Sequence, residues 1–88
     1  ENLLLQYETS LSTYLSAQDV YNLQKVNRDL TLNVYRKSFT KFREGIGSSL
    51  DLNQTQQQFF DSEVSYYTAL MSLVAAKAKL ESLLSDLQ

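Results

Sequence analysis

Catalysis needs groups that attack, shuttle protons or hold metals, and this 88-residue chain has neither histidine nor cysteine. Thiol chemistry, the usual zinc ligand sets and imidazole acid–base work are thereby removed. Ten acidic and eight basic residues remain, but nowhere do acids, bases and nucleophiles converge. The chain is therefore not read as an enzyme, and it calls for no cofactor and no metal. One segment gathers special residue types: Gly45-Ile46-Gly47-Ser48-Ser49-Leu50-Asp51, close to the midpoint. Its glycines are the only two in the chain, and proline is absent. The chemistry it offers is hydrogen bonding at helix ends. Ser48 is placed to accept a backbone N–H, and Asp51, three residues on, to reach back in a capping box. Asp51 also lies in a first turn, where the helix dipole favours a carboxylate.

The other charged residues suit a solvated surface. Arg36, Lys37, Lys41 and Arg43 cluster ahead of Gly45 but are interrupted by Ser38, Phe39 and Phe42, as expected of a helix C-terminus, where cations complement the dipole. A formal charge of −2 and a pI near 4.9 argue against nucleic acid, which calls for clustered positive charge. No apolar run approaches the roughly 20 residues of a membrane span.

These residues must be positioned by long helices. On each side of the glycines runs a stretch of about 40 residues in which apolar residues recur every seven, a coiled-coil period. In the first half one heptad row reads Tyr7, Tyr14, Tyr21, Arg28, Tyr35, Phe42, and three residues on lie Ser10, Ala17, Gln24, Thr31, Ser38. In the second half the rows read Leu52, Phe59, Tyr66, Leu73, Leu80, Leu87 and Thr55, Ser62, Ala69, Ala76, Leu83. Bulky and small rows side by side let two helices interdigitate. Glycine ends helices because it takes left-handed angles without a Cβ clash. The expected fold is all-α: one long antiparallel two-helix coiled-coil hairpin, with helices over about 2–44 and 48–87 and residues 1–88 as a single unit.

Folding about residue 47 aligns Phe42 with Leu52, Tyr35 with Phe59, Arg28 with Tyr66, Tyr21 with Leu73, Tyr14 with Leu80 and Tyr7 with Leu87. The small rows then set Ser38 beside Thr55, Thr31 beside Ser62 and Ala17 beside Ala76. Tyrosines at this spacing read as amphipathic core rather than a ligand-stacking ladder. Arg28 departs from the aromatic row. Its stem is expected to pack while its head reaches water; the alternatives are a cation–π contact with Tyr66 or an ion pair with Glu63. Further apolar stripes remain outside the seam, at Leu23, Val26, Leu30 and Val34, and at Phe60, Tyr67, Val74, Leu70 and Leu84. A two-stranded coiled coil needs one seam per helix, so these stripes imply more helical neighbours. The run Asn53-Gln-Thr-Gln-Gln-Gln58 reads as a solvated face. With Asn2-Leu3-Leu4-Leu5 already in the helical pattern, the chain reads as a fragment of a larger protein.

The run Phe39-Thr-Lys-Phe-Arg-Glu-Gly45-Ile-Gly-Ser-Ser-Leu-Asp51-Leu-Asn-Gln-Thr-Gln56 resembles the periplasmic hairpin tip of TolC-like outer-membrane efflux proteins. In that pattern an aromatic is followed by a glycine, small or polar residues, and an aspartate between aliphatics. The resemblance extends through Phe59-Phe60, Tyr66-Tyr67 and Val74–Leu84, and the ending Lys79-Leu80-Glu81-Ser82-Leu83-Leu84 is closer to the second of the family's two internal repeats. It implies a homotrimer in the outer membrane, each chain giving two hairpins to a periplasmic α-barrel. The tips would dock a membrane-fusion adaptor that links the duct to an inner-membrane pump. By position, Gly45, Ile46, Gly47, Ser48, Ser49 and Leu50 match the adaptor-docking tip. Asp51 matches an aspartate of the channel entrance, and Gln54 stands at a second entrance position where some members carry an acid. Gly47 stands where some members have a tethering arginine, and Phe42 where others have a tyrosine. The gate implied here rests on packing more than on tethers. The competing reading is a structural coiled-coil hairpin of a scaffold or sensor without a transport role.

Overall fold

In the computed structural model, which describes residues 2–87 and side chains up to Asp86, the chain doubles back once. Helix α1 spans Leu3–Arg43 and helix α2 spans Ser49–Leu87. The molecule is a rod of 64 × 16 × 13 Å. The expected all-α hairpin is observed, each helix bound lying within one residue of its expected position. Asn2 caps α1, its side-chain Oδ1 accepting the Leu4 N–H at 2.9 Å. An unpaired N–H is thereby satisfied at the start of the helix. Nothing inside either helix removes a backbone donor or loosens the backbone, since proline is absent and both glycines lie between the helices.

The seam follows the heptad rows. The most hidden residues are small ones: Ser10, Ser38, Thr55, Ser62 and Ala69 keep only 4–7% of their surface, with Leu80 and Leu83 next. Small residues let the backbones approach closely, while the bulky row of each helix spreads over the gap. Tyr7, Tyr14, Tyr21 and Tyr35 on α1, and Phe59, Tyr66 and Leu73 on α2, are half-buried in this way. The fold point is supported by direct contacts. Tyr35 stacks on Phe59 with centroids 6.0 Å apart and planes 1° apart, and Thr31 Oγ1 meets Ser62 Oγ at 2.6 Å. The expected pairing of Tyr7 with Leu87 lies outside the described side chains.

Two details add to the expected layering. Tyr66 touches Arg28 on one side and Tyr21 on the other, its ring centroid 5.4 Å from that of Tyr21 and its hydroxyl 3.2 Å from the Tyr21 hydroxyl. Tyr21, aligned with Leu73 by the heptad rows, also sets its polar end against Tyr66. The hydroxyl contact links two successive bulky layers, Tyr21 of one and Tyr66 of the next. The Arg28 head lies against Tyr66 and stays partly open to solvent beside Asp29. Its Cζ lies 4.4 Å from the Tyr66 centroid, and Nη2 donates to Asp29 Oδ1 at 3.0 Å, not to Glu63. The cation–π alternative is observed, and the guanidinium edge that carries Nη2 still reaches the exposed Asp29 carboxylate.

The hydroxyls of Thr31, Thr55 and Ser62 on this seam have hydrogen-bond partners. Thr55 Oγ1 lies 3.1 Å from the carbonyls of Asp51 and Leu52 on its own helix. Thr31 and Ser62 carry two protons for three contacts: each other, the Arg28 carbonyl at 3.0 Å and the Phe59 carbonyl at 2.8 Å. One hydroxyl donates across the seam while the other donates to its own helix. Each arrangement avoids leaving a buried hydroxyl unpaired, which would cost about 1–3 kcal/mol.

Candidate functional site

The hairpin tip is built from a helix stop, a short reversal through Gly45, Ile46 and Gly47, and a helix start. Glu44 ends α1 in right-handed geometry, and Gly45 then turns to φ +83°. The Gly45 N–H donates to the Phe42 carbonyl and the Ile46 N–H to the Lys41 carbonyl, both at 3.0 Å. This paired closure is the Schellman motif, and it needs a left-handed residue where Gly45 stands. Gly47 is required for a different reason. Its N–H also donates to the Lys41 carbonyl at 3.0 Å, and this draws it so near α1 that a Cβ would sit 3.0 Å from the Phe42 nitrogen and the Lys41 Cβ. One glycine supplies an angle, the other supplies room.

The start of α2 keeps half of the expected capping box. Ser48 Oγ accepts the Asp51 N–H at 3.0 Å, and the Ser48 carbonyl accepts from Leu52 at 3.1 Å. The reciprocal half is corrected: Asp51 turns across the hairpin, and its Oδ2 accepts from Ser38 Oγ at 3.0 Å. Aspartate is one methylene shorter than the glutamate usual at this position, and a buried hydroxyl on the facing helix is within its reach. Asp51 thus joins α2 to α1 directly behind the turn. Gln54, one helical turn along, is exposed and makes no hydrogen bond among those of the described residues.

The six expected docking residues divide by role. Gly45, Gly47 and Ser48 build the turn. Ile46 and Leu50 contribute little to the hairpin's own packing, remaining 75% and 66% exposed, and Ser49 is also open to solvent. Behind them Phe39 and Phe42 are partly exposed, with the Arg43 Cζ 5.9 Å from the Phe39 centroid. Sequence reasoning missed this last contact, although the i, i+4 spacing of Phe39 and Arg43 was available to suggest it. It also missed the Tyr21–Tyr66 hydroxyl pair and the Ser38–Asp51 bridge, which depend on side-chain direction and not on spacing.

Tyr21 holds its proton more tightly than an ordinary tyrosine, first because of the hydrogen bond to Tyr66 and then because of burial. Arg28 is held charged above its usual range, chiefly by the hydrogen bond to Asp29. Among the described residues no group of histidine, cysteine, aspartate or glutamate is arranged to hold a metal ion, and no helix is long and apolar enough to cross a membrane. What the tip offers chemically is a surface: two aliphatic side chains, exposed serines and one fixed carboxylate at the end of a narrow rod. No protein-family model, curated protein or solved structure matches the chain.

Proposed function

We propose that this hairpin is a periplasmic segment of an outer-membrane efflux duct of the TolC-like kind, with its tip docking a membrane-fusion adaptor. The observation that carries the reading is the division of apolar side chains. The seam is closed, yet Leu23, Val26, Leu30, Phe60, Val64, Met71 and Val74 stay largely exposed along both helices, and Ile46 and Leu50 are exposed at the end. Lateral stripes suit a wall of side-by-side helices, and an exposed aliphatic tip suits an end-on contact. The tip pattern from Phe39 to Gln56 adds the resemblance.

In this reading the parent protein is a homotrimer in the outer membrane, each subunit contributing two hairpins, and the adaptor connects it to an inner-membrane pump. The duct is passive, guiding small molecules driven by the pump. Asp51, positioned by Ser38, lends negative charge to the channel entrance, where low-dielectric walls focus the field on cations. Gln54 leaves that ring with fewer charges than members carrying an acid there.

Photo-crosslinking from the full-length parent in cells tests the proposal. Probes at Ser49 and Leu50 are expected to give adducts with a periplasmic adaptor, and probes at Glu81 to give none. Tip probes that never capture an adaptor would overturn the docking role. Capture of cytoplasmic proteins would support the scaffold reading instead.

A further inference from the structure

We propose that Arg28 makes the α1 seam selective for α2 by excluding a second copy of α1. Arg28 occupies the inward heptad position held elsewhere on α1 by Tyr7, Tyr14, Tyr21, Tyr35 and Phe42. In the hairpin its charge is accommodated by the Tyr66 ring at 4.4 Å and by Asp29 at 3.0 Å. The accommodation is incomplete, because Nε is buried with no hydrogen-bond partner. An apolar residue would continue the row without that unpaired donor, so stability of the hairpin does not explain the arginine.

Its consequence for other pairings does. When two copies of a helix pair in parallel, each residue at this position meets its own copy. The tyrosines, Phe42 and the row of Ser10, Ala17, Gln24, Thr31 and Ser38 tolerate that arrangement; two guanidinium groups brought together at one layer of the seam do not. Only α2 presents Tyr66, with its hydroxyl tied to Tyr21, at the matching height. The selectivity matters because exposed apolar flanks on both helices favour side-by-side contact between hairpins, which raises the local concentration of α1 copies. The inference is independent of the duct reading.

The test uses the 88-residue chain with one introduced cysteine, Ala17→Cys, on the half-buried small row. The chain has no other cysteine, so a disulfide-linked dimer reports seam-to-seam pairing of α1 copies. With Arg28 present, oxidation is expected to give little dimer. Adding Arg28→Leu is expected to raise the dimer yield roughly ten-fold or more, since like-charge juxtaposition is a strong barrier. Arg28→Lys, which keeps the charge, is expected to leave the yield low. Arg28→Leu is also expected to melt no lower than the parent. An unchanged dimer yield in Arg28→Leu, or a yield in Arg28→Lys as high as in Arg28→Leu, would overturn the proposal. If Arg28→Leu lost helicity, Arg28→Met read by the same disulfide assay would decide it.

Discussion

Seam and flanks are built from the same two helices, yet their side chains are used in opposite ways. Along the seam the residues most hidden from water are serines, threonine and alanine, with Leu80 and Leu83 next, and the hydroxyls of Ser38, Thr55 and Ser62 are bonded across the gap or to their own helix. Along the flanks the large aliphatic and aromatic side chains face outward, Leu23 and Met71 among them. A stable globular core hides its largest apolar groups; apart from Leu80 and Leu83, this hairpin hides small residues. Close approach of two backbones is gained at the seam, and the bulk of the hydrophobic surface is left for neighbours. The two regions should therefore respond differently to substitution.

The largest difference is expected from adding volume. Ala69→Phe on the seam should destabilise by about 1–3 kcal/mol, because the closely packed helices must separate. The melting midpoint should fall by roughly 4–8 °C for each kcal/mol. Val64→Ser on the flank should stay within about 0.5 kcal/mol in the isolated hairpin. Thermal melts followed by circular dichroism compare the two, and equal losses would break the distinction. Next come the glycines that bring the seam into register. Gly45→Ala should cost about 1–2 kcal/mol through its left-handed angle, whereas Gly47→Ala should act through contact with the α1 backbone. Asparagine, which tolerates left-handed angles, should partly rescue position 45 and not position 47.

A smaller effect is expected where the seam meets the tip. Ser38→Ala removes the hydroxyl held by Asp51 and should cost about 1 kcal/mol. Asp51→Ala in the Ser38→Ala background should then cost less than it does alone, as a double-mutant cycle would show. The smallest effect is in pH. Tyr21 keeps its proton to higher pH in the hairpin than in the unfolded chain. Below the ordinary tyrosine pKa of 10.0 both states are protonated and the contribution is fully present. As pH rises past that value the unfolded chain releases its proton first, so stability declines until the folded hairpin titrates as well. Tyr21→Phe should remove that part of the decline, measurable as the melting midpoint between pH 9 and 11.

Most of the fold is legible in the residues because the heptad period is uninterrupted and the only glycines coincide with its break. The period assigned Ser10, Ser38, Thr55, Ser62 and Ala69 to the interior, and these are among the residues most hidden from water. It did not assign the contacts of Tyr66, because spacing says which face a residue occupies and not whether its ring leans toward Tyr21 or Arg28. The same limit applies at the tip. Ser48-Ser-Leu-Asp51 announced a helix start, but the choice of Asp51 between its own helix and Ser38 depends on reach across the hairpin. Ile46 and Leu50 carried no structural signal at all, and their exposure is what makes the tip a candidate surface.

The central claim is the single reversal at Gly45–Gly47, and a distance across the open end tests it most directly. Spin labels at Glu8 and Ser82, read by pulsed electron resonance, should lie within about 25 Å if the helices pair side by side, allowing for the 8–10 Å between packed axes and the label arms. A continuous helix would separate the same positions by about 110 Å at 1.5 Å per residue. The short distance is the predicted result, in dilute mixtures of labelled with unlabelled chain; its absence there would contradict the hairpin.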